Sequence, residues 1–361
     1  MSLLILLFIP LCVCLVMYLF APPRMDSKKN FSRCLYQITF PEFLCQVAVV
    51  VALMIAGYYI ALNQATTDTE IWNAQVTSKT SEKVSCEHSY SCNCRPVSCG
   101  KDCTTTHCDT CYEHFYDVSW YLHTSAGERI EIDRVNRQGT TMPPRWNQSH
   151  VGDPTALQHT FTNYIKANPW SLLNRTDEET QFPIPAYPIG VYDYHYVDRF
   201  VAPPLPDTPA WNRSLQTLNA ELGVQKRVNI IVVVTKESEA FSHALENVWL
   251  GGKKNDVIVV IGSKDLKAIE WVRVISWSHS EVMKVELRDA LLKIGTLDNR
   301  EPIMVVLKDH VTRGYALMQM EDYKYLMAGV EPTAGAMWLL IILGLVVSGG
   351  LSIYFYQNET F

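Results

Sequence analysis

Three stretches of this chain carry no charged side chain at all: residues 3–20, "LLILLFIPLCVCLVMYLF"; residues 43–62, "FLCQVAVVVALMIAGYYIAL"; and residues 334–356, "AGAMWLLIILGLVVSGGLSIYFY". A run of about 18 or more apolar residues is long enough to cross the roughly 30 Å hydrocarbon core of a bilayer as a helix. The length and lack of charge of the second and third blocks argue against the buried core helix of a water-soluble fold. The whole chain leans the same way, with 48% hydrophobic and 19% charged residues, against about 25% charged in ordinary soluble proteins.

The first block competes with a cleaved signal peptide. No Lys or Arg precedes it, and the following "APPRMDSKKN" is a poor match to a small-residue cleavage site, so retention as a membrane helix is expected. Between the first two blocks lie Arg24, Lys28, Lys29 and Arg33 against Asp26 and Glu42. The positive-inside rule puts that loop in the cytoplasm. Residues 63–333 are then extracytoplasmic, periplasmic if the source is bacterial or acts on a bacterial host. Cys12, Cys14, Cys34 and Cys45 belong to or flank the first two blocks and read as free or buried thiols, with lipidation of Cys34 and Cys45 as the alternative.

Seven cysteines follow within one short segment, Cys86, Cys92, Cys94, Cys99, Cys103, Cys108 and Cys111, most of them in "CNCRPVSCGKDCTTTHCDTC". The segment has too few large apolar side chains to build a core, and an oxidising compartment favours disulfide staples. The count is odd, so one thiol is left over, pairs between chains or binds a metal. The competing reading is a zinc knot. Cys108 and Cys111 have knuckle spacing, Cys92 and Cys94 can oppose them, and His88, His107 and His114 supply imidazoles. The compartment argument favours disulfides and leaves zinc as the alternative.

Beyond the cysteines, "YEHFYDVSWYLHTSAGERIEIDRVNRQG" alternates: Tyr116, Val118, Trp120 and Leu122 share one parity, and Ile130 and Ile132 resume after a turn. That predicts two strands of a small antiparallel sheet. Residues 141–210 are rich in Pro, Asn and aromatic residues without clear periodicity and read as irregular; Tyr192, Tyr194, His195 and Tyr196 fit a packed aromatic strand.

Residues 211–330 are the most regular. Ser214 is a candidate cap for a helix bearing Leu215, Leu218 and Leu222 and ended by Gly223. "VNIIVVVT" and "VIVVIG" are β-branched runs of the kind buried strands show, and "AIEWVRVISWS" alternates as a third strand. Phe241, Leu245 and Trp249 mark a helix between the first two strands. Met283, Leu287, Leu291 and Ile294 mark another that stops at Gly295; Pro302 suits the first turn of a further helix through about Val311, and "MEDYKYL" leads helically toward the last apolar block. The order α, β, α, β, β, α, α predicts an α/β sandwich.

The motifs "VNIIVVV", "ENVWLGGKKND", "DVIVVIGSKD", "WVRVISWS" and "EVMKVELRDALL" make this block similar to the TPM domain family of membrane-tethered bacterial, plastid and animal proteins. The resemblance covers about a third of the chain. It implies a tethered α/β sandwich, and its members are linked to acid phosphatase activity, calcium binding, photosystem repair and receptor assembly. The family's acidic positions fall on Asp256 and Asp265, which with Glu270 form a candidate calcium site; Lys253, Lys254 and "SWSHSE" depart from the pattern. The Cys-rich segment with "CYEHFYDVSW" resembles uncharacterised membrane proteins encoded by bacteriophages.

The expected architecture is therefore a multi-span α-helical membrane anchor plus an α+β or α/β ectodomain, a TPM-like sandwich with a Cys-rich, β-containing head. Its parts are 1–63 with two spans, 64–111 stalk and Cys-rich segment, 112–210 β-rich and irregular, 211–330 TPM-like, and 334–356 the last span. No GxSxG, HExxH, P-loop, GxGxxG or Cys-x5-Arg loop occurs. A net charge of −6 without a basic run in the ectodomain argues against nucleic acid as a partner. Two functions remain: a non-enzymatic envelope scaffold that binds a membrane or envelope protein, and a weak metal-dependent phosphohydrolase working through Asp256 and Asp265. Asn147, Asn174 and Asn212 sit in glycosylation sequons, which matter only in a eukaryotic secretory pathway.

Overall fold

A computed structural model describes residues 3–20, 40–100, 103–168, 182–188 and 198–357. In chain order it forms α1 (Leu3–Phe20), α2 (Phe40–Thr66), β1 (Thr67–Val84), β2 (Ser89–Gly100), β3 (Cys103–Tyr112), β4 (Asp117–Thr124), β5 (Arg129–Ile132), α3 (Pro144–Gln148) and β6 (Pro154–Thr162). Then come α4 (Tyr164–Ala167), β7 (Phe200–Val201), α5 (Thr208–Lys226), β8 (Asn229–Thr235), α6 (Ala240–Val248), β9 (Asp256–Gly262) and β10 (Trp271–Ile275). The chain closes with α7 (Glu281–Ile294), α8 (Arg300–Gly314), a 3-10 helix (Met320–Gly329) and α9 (Ala334–Gln357). The basic loop, Cys34, Asn174, Tyr192, Tyr194, His195 and Tyr196 lie outside the described residues. Two compact units divide the chain: Met1–Asp68 with Thr160–Thr176 and Gln319–Phe361, and Thr69–His159 with Asp177–Met318.

The first unit is built on apolar helices. α1, α2 and α9 pack pairwise, with Leu6, Val50, Met54, Met337, Leu340 and Ile341 buried between them. Gln46 Nε2 donates to the Ser348 carbonyl (2.8 Å) and the Ser352 hydroxyl (2.6 Å), a polar clasp between α2 and α9. Bonds of this kind contribute about 0.6–2 kcal/mol between helices in an apolar medium. Among the described residues two helices, α2 and α9, are long and apolar enough to cross a membrane, whereas α1 is apolar over the shorter stretch Leu6–Leu19. "MEDYKYL" does not run on into α9. It forms a 3-10 helix that ends at Gly329, and Pro332, which lacks an amide hydrogen, follows before α9 begins.

The second unit holds the β-structure. One sheet has the order β5-β4-β1-β6. β4 and β5 are the alternating strands the sequence predicts, and Trp120, Leu122 and Ile132 pack with Val76 and Trp146. The long β1 and β6 were not expected. In β1 polar residues take buried positions, Glu70 and Asn73 among them, so the alternation of burial is not an alternation of hydrophobicity. The ordered β6 and β7 likewise replace part of what reads as an irregular 141–210 stretch.

The other sheet has the order β10-β9-β8-β7, with β7, β8 and β9 parallel and β10 antiparallel. Every residue of β8 and β9 is buried because helices cover both faces. Leu215 of α5, Leu287 of α7 and Leu307 of α8 pack on Ile230, Val232, Val257 and Val259. On the opposite face Phe241 and Leu245 of α6 meet Ile231, Val233, Ile258 and Val260. The helix–strand order matches the one read from the sequence. Two ends differ: α5 starts at Thr208, with Pro209 in its first turn, and runs past Gly223 to Lys226. Gly223 is a close-approach residue there, since a Cβ would collide with the Asn73 carbonyl oxygen.

Among the described strands, β2 and β3 pair with each other as a two-stranded ribbon. An isolated hairpin is marginally stable in water, and two disulfides, Cys92–Cys111 and Cys94–Cys108, hold this one. Its register slips between Cys92 and Arg95, where Asn93 takes a left-handed φ of 46°, a conformation Asn tolerates better than most residues.

Candidate metal centre

Two β-registers converge at the base of the ribbon. Val84, the last residue of β1, pairs with Asp117, the first of β4, while Ser89 at the start of β2 pairs with Tyr112 at the end of β3. The residues between, 85–88 and 113–116, therefore face one another across a short gap, closed by the Glu113 amide donating to the His88 carbonyl (3.0 Å). Cys86, His114 and Asp117 gather there.

Cys86 Sγ lies 3.7 Å from His114 Nδ1, which lies 3.2 Å from Asp117 Oδ1, and the three donor atoms are all within 4.8 Å of one another. Cys86 is buried and takes no part in the disulfides. Its sulfur also lies 3.6 Å from the His88 carbonyl oxygen. Asp117 is fully buried. Its Oδ2 accepts from the Glu87 amide (3.0 Å) and from Arg134 Nη1 (3.1 Å), and Arg134 also donates to Ser119 Oγ (2.9 Å) and Glu87 Oε1 (3.0 Å). Asp117 Oδ1 has no aligned hydrogen-bond donor. Burial opposes ionisation of this carboxyl, but the Glu87 amide, the Cys86 thiol, Arg134 and His114 outweigh it and hold it below the usual carboxylate range.

Gly139 makes the arrangement possible on the Arg134 side. The chain returns past β4 with φ +79°, close enough that a Cβ would collide with the Val118 carbonyl oxygen. A cavity of about 510 Å³ opens beside the cluster, lined by Ser85, Cys86, Tyr112, Glu113, His114 and Phe115.

The residues singled out from the sequence distribute differently. Cys92, Cys94, Cys108 and Cys111 are consumed in disulfides, which overturns a four-cysteine zinc knot. His107 is exposed on β3 opposite Arg95, and the side chains of Cys99 and Cys103 lie outside the described ones. Among the described cysteines of the segment, Cys86 is the free one.

Asp256, Asp265 and Glu270 are not brought together. Asp256 opens β9 and Asp265 lies beyond its far end, so the strand separates them, by roughly 20 Å at about 3.3 Å per residue. Asp256 is fully buried and accepts from Asn229 Nδ2 (2.8 Å), Tyr187 Oη (2.7 Å) and the Lys253 amide (2.7 Å). Burial pushes its carboxyl above the usual range against the pull of Asn229, the Lys253 amide, Tyr187 and Arg199. This network ties the two sheets, since Asn73 of β1 donates to Asn229 Oδ1 (3.0 Å) and the Val228 carbonyl (3.2 Å). Asp265 accepts the Ala268 (2.8 Å) and Lys267 (2.9 Å) amides of its own turn, and Glu270 pairs with Lys264 (3.2 Å). Each acidic group is already engaged by donors near it in the fold. The Asn212 sequon is closed as well, its Oδ1 accepting the buried Arg199 and Phe200 amides.

Sequence reasoning named Cys86 and His114 and missed Asp117. The available signal was His114-x-x-Asp117 just after the cysteine-rich segment, but a carboxylate at a strand start is usually solvated. No family model, curated protein or solved structure matches this chain.

Proposed function

We propose that the chain is an integral membrane protein that presents a large extracytoplasmic domain as an envelope scaffold or protein-interaction module. The observation that carries this reading is a doubly disulfide-bonded ribbon encoded between two helices apolar enough to cross a membrane. Disulfides persist in oxidising compartments, which supports an extracytoplasmic position for the ribbon. α1 serves as a third span, which puts the basic loop in the cytoplasm. The ribbon buries none of its described side chains and exposes Tyr90, Val97 and Tyr112, contact surface for a partner protein in the same envelope. The α/β layer is the TPM-like part, and the whole is of the kind bacteriophages encode to modify a host envelope.

Mass-tagged maleimide labelling of the full-length protein in sealed vesicles of known orientation tests the placement. Cys92, Cys94, Cys108 and Cys111 are expected to react only after reduction, and only from the extracytoplasmic side. Labelling without reductant, or from the cytoplasmic side alone, overturns the reading. A photo-crosslinker at Val97 tests the interaction: one reproducible adduct with an envelope protein supports it, and the absence of any specific adduct in the native membrane counts against it.

A further inference from the structure

We propose that Cys86, His114 and Asp117 bind one divalent transition-metal ion of the zinc class, with the fourth coordination position open to the adjoining cavity. The site goes beyond the scaffold reading and does not depend on it. A tetrahedral ion with bonds of about 2.0–2.3 Å has donor–donor edges of roughly 3.3–3.8 Å. The Sγ–Nδ1 distance of 3.7 Å already fits such an edge, and the Nδ1–Oδ1 distance of 3.2 Å falls just short of one.

Protons alone serve this trio poorly. Nδ1 carries one proton at most, and that proton can point at only one of the sulfur and carboxylate neighbours that share it. Asp117 Oδ1, fully buried and without an aligned hydrogen-bond donor, has the shared His114 Nδ1 at 3.2 Å as its ion-pair neighbour. A cation at the centre meets all three lone pairs at once, and the thiol proton leaves to solvent as the thiolate binds.

The surrounding groups suit that role. Arg134 and the Glu87 amide grip the other carboxylate oxygen and aim Oδ1 inward, as outer partners of metal-binding carboxylates do. One sulfur, one imidazole nitrogen and one carboxylate oxygen select a borderline ion such as zinc over magnesium or calcium, which prefer oxygen alone. Three protein ligands and an open fourth position beside a cavity of about 510 Å³ leave room for a water or an incoming donor group.

The test uses full-length protein purified in detergent without reductant, stripped with chelator and titrated with Co(II), then with Zn(II). The expected result is one cobalt per chain, a sulfur-to-cobalt charge-transfer band with the visible absorption of a four-coordinate ion, and displacement by zinc but not by magnesium. Cys86→Ser removes the charge-transfer band, while the double variant Cys94→Ser with Cys108→Ser keeps it. Arg134→Gln leaves all three donor atoms in place and weakens binding by about 10–100-fold, which keeps the proposal testable should Cys86→Ser fail to fold. The proposal falls if wild-type protein with both disulfides intact binds no cobalt, if the band survives Cys86→Ser, or if Cys86 is found in a disulfide with Cys99 or Cys103.

Discussion

The β2–β3 ribbon and the β8–β9 pair are each two adjacent strands, yet they are held by opposite means. Every side chain of β8 and β9 is buried, while none of the described side chains of β2 and β3 is. The first pair draws on apolar burial, about 1.5–3 kcal/mol for each large side chain taken from water. The second draws on covalent closure of loops of 19 and 14 residues, which limits the unfolded chain by about 3 kcal/mol for a loop of that size. One region is therefore sensitive to packing and indifferent to reductant, and the other the reverse.

The largest expected effect comes from the packed side. Leu287→Ala in α7, at a fully buried position facing the sheet, is expected to cost about 2–5 kcal/mol, read as a lower denaturation midpoint by far-ultraviolet circular dichroism with both ribbon disulfides intact. A midpoint unchanged from wild type would mean that the α/β layer does not rest on this core. Next, Cys94→Ser with Cys108→Ser removes the inner bridge at a cost of about 3 kcal/mol confined to the ribbon. Proteolysis between residues 92 and 111 should accelerate while the midpoint of the α/β layer stays put; a matching fall in that midpoint would make the two regions one cooperative unit.

The smallest effect is expected at Asp265. The Ala268 and Lys267 amides hold its carboxyl below the usual carboxylate range. A depressed folded pKa contributes stability that is complete above the ordinary carboxylate range and is lost as pH falls through the lower, folded value. Asp265→Ala should speed hydrogen exchange at the Lys267 and Ala268 amides at neutral pH without moving the global midpoint. Exchange at wild-type rates would show that the turn does not depend on this carboxylate.

The same contrast explains what could be read from residues alone. β8, β9 and the helices of the α/β layer carry their burial in hydrophobic pattern, so the order of elements from α5 to α8 was visible. β1 was not, because Glu70 and Asn73 are buried polar residues placed by partners distant in sequence, His159 and Lys254 for the first and Asn229 for the second. Gly223 reads as a helix stop, yet it serves an approach by β1 that no local pattern announces. The disulfides followed from composition, but their pairing, and the gathering of Cys86 with Asp117, come from two ladder registers meeting. Asp256 and Asp265 invited a shared site by flanking one strand, and a strand is a spacer.

Cys86 has a consequence for the order in which this molecule matures. It lies six residues before Cys92, within easy reach of either bridge in an unfolded chain, where a thiolate attacks a neighbouring disulfide through a mixed intermediate. In the folded protein its sulfur is buried next to the first residue of β4, which pairs with the last of β1. Closing that antiparallel ladder sequesters a nucleophile able to reshuffle the ribbon, and opening it returns an internal catalyst of scrambling. The fidelity of the cross-links is thus guarded by hydrogen bonds in a different sheet.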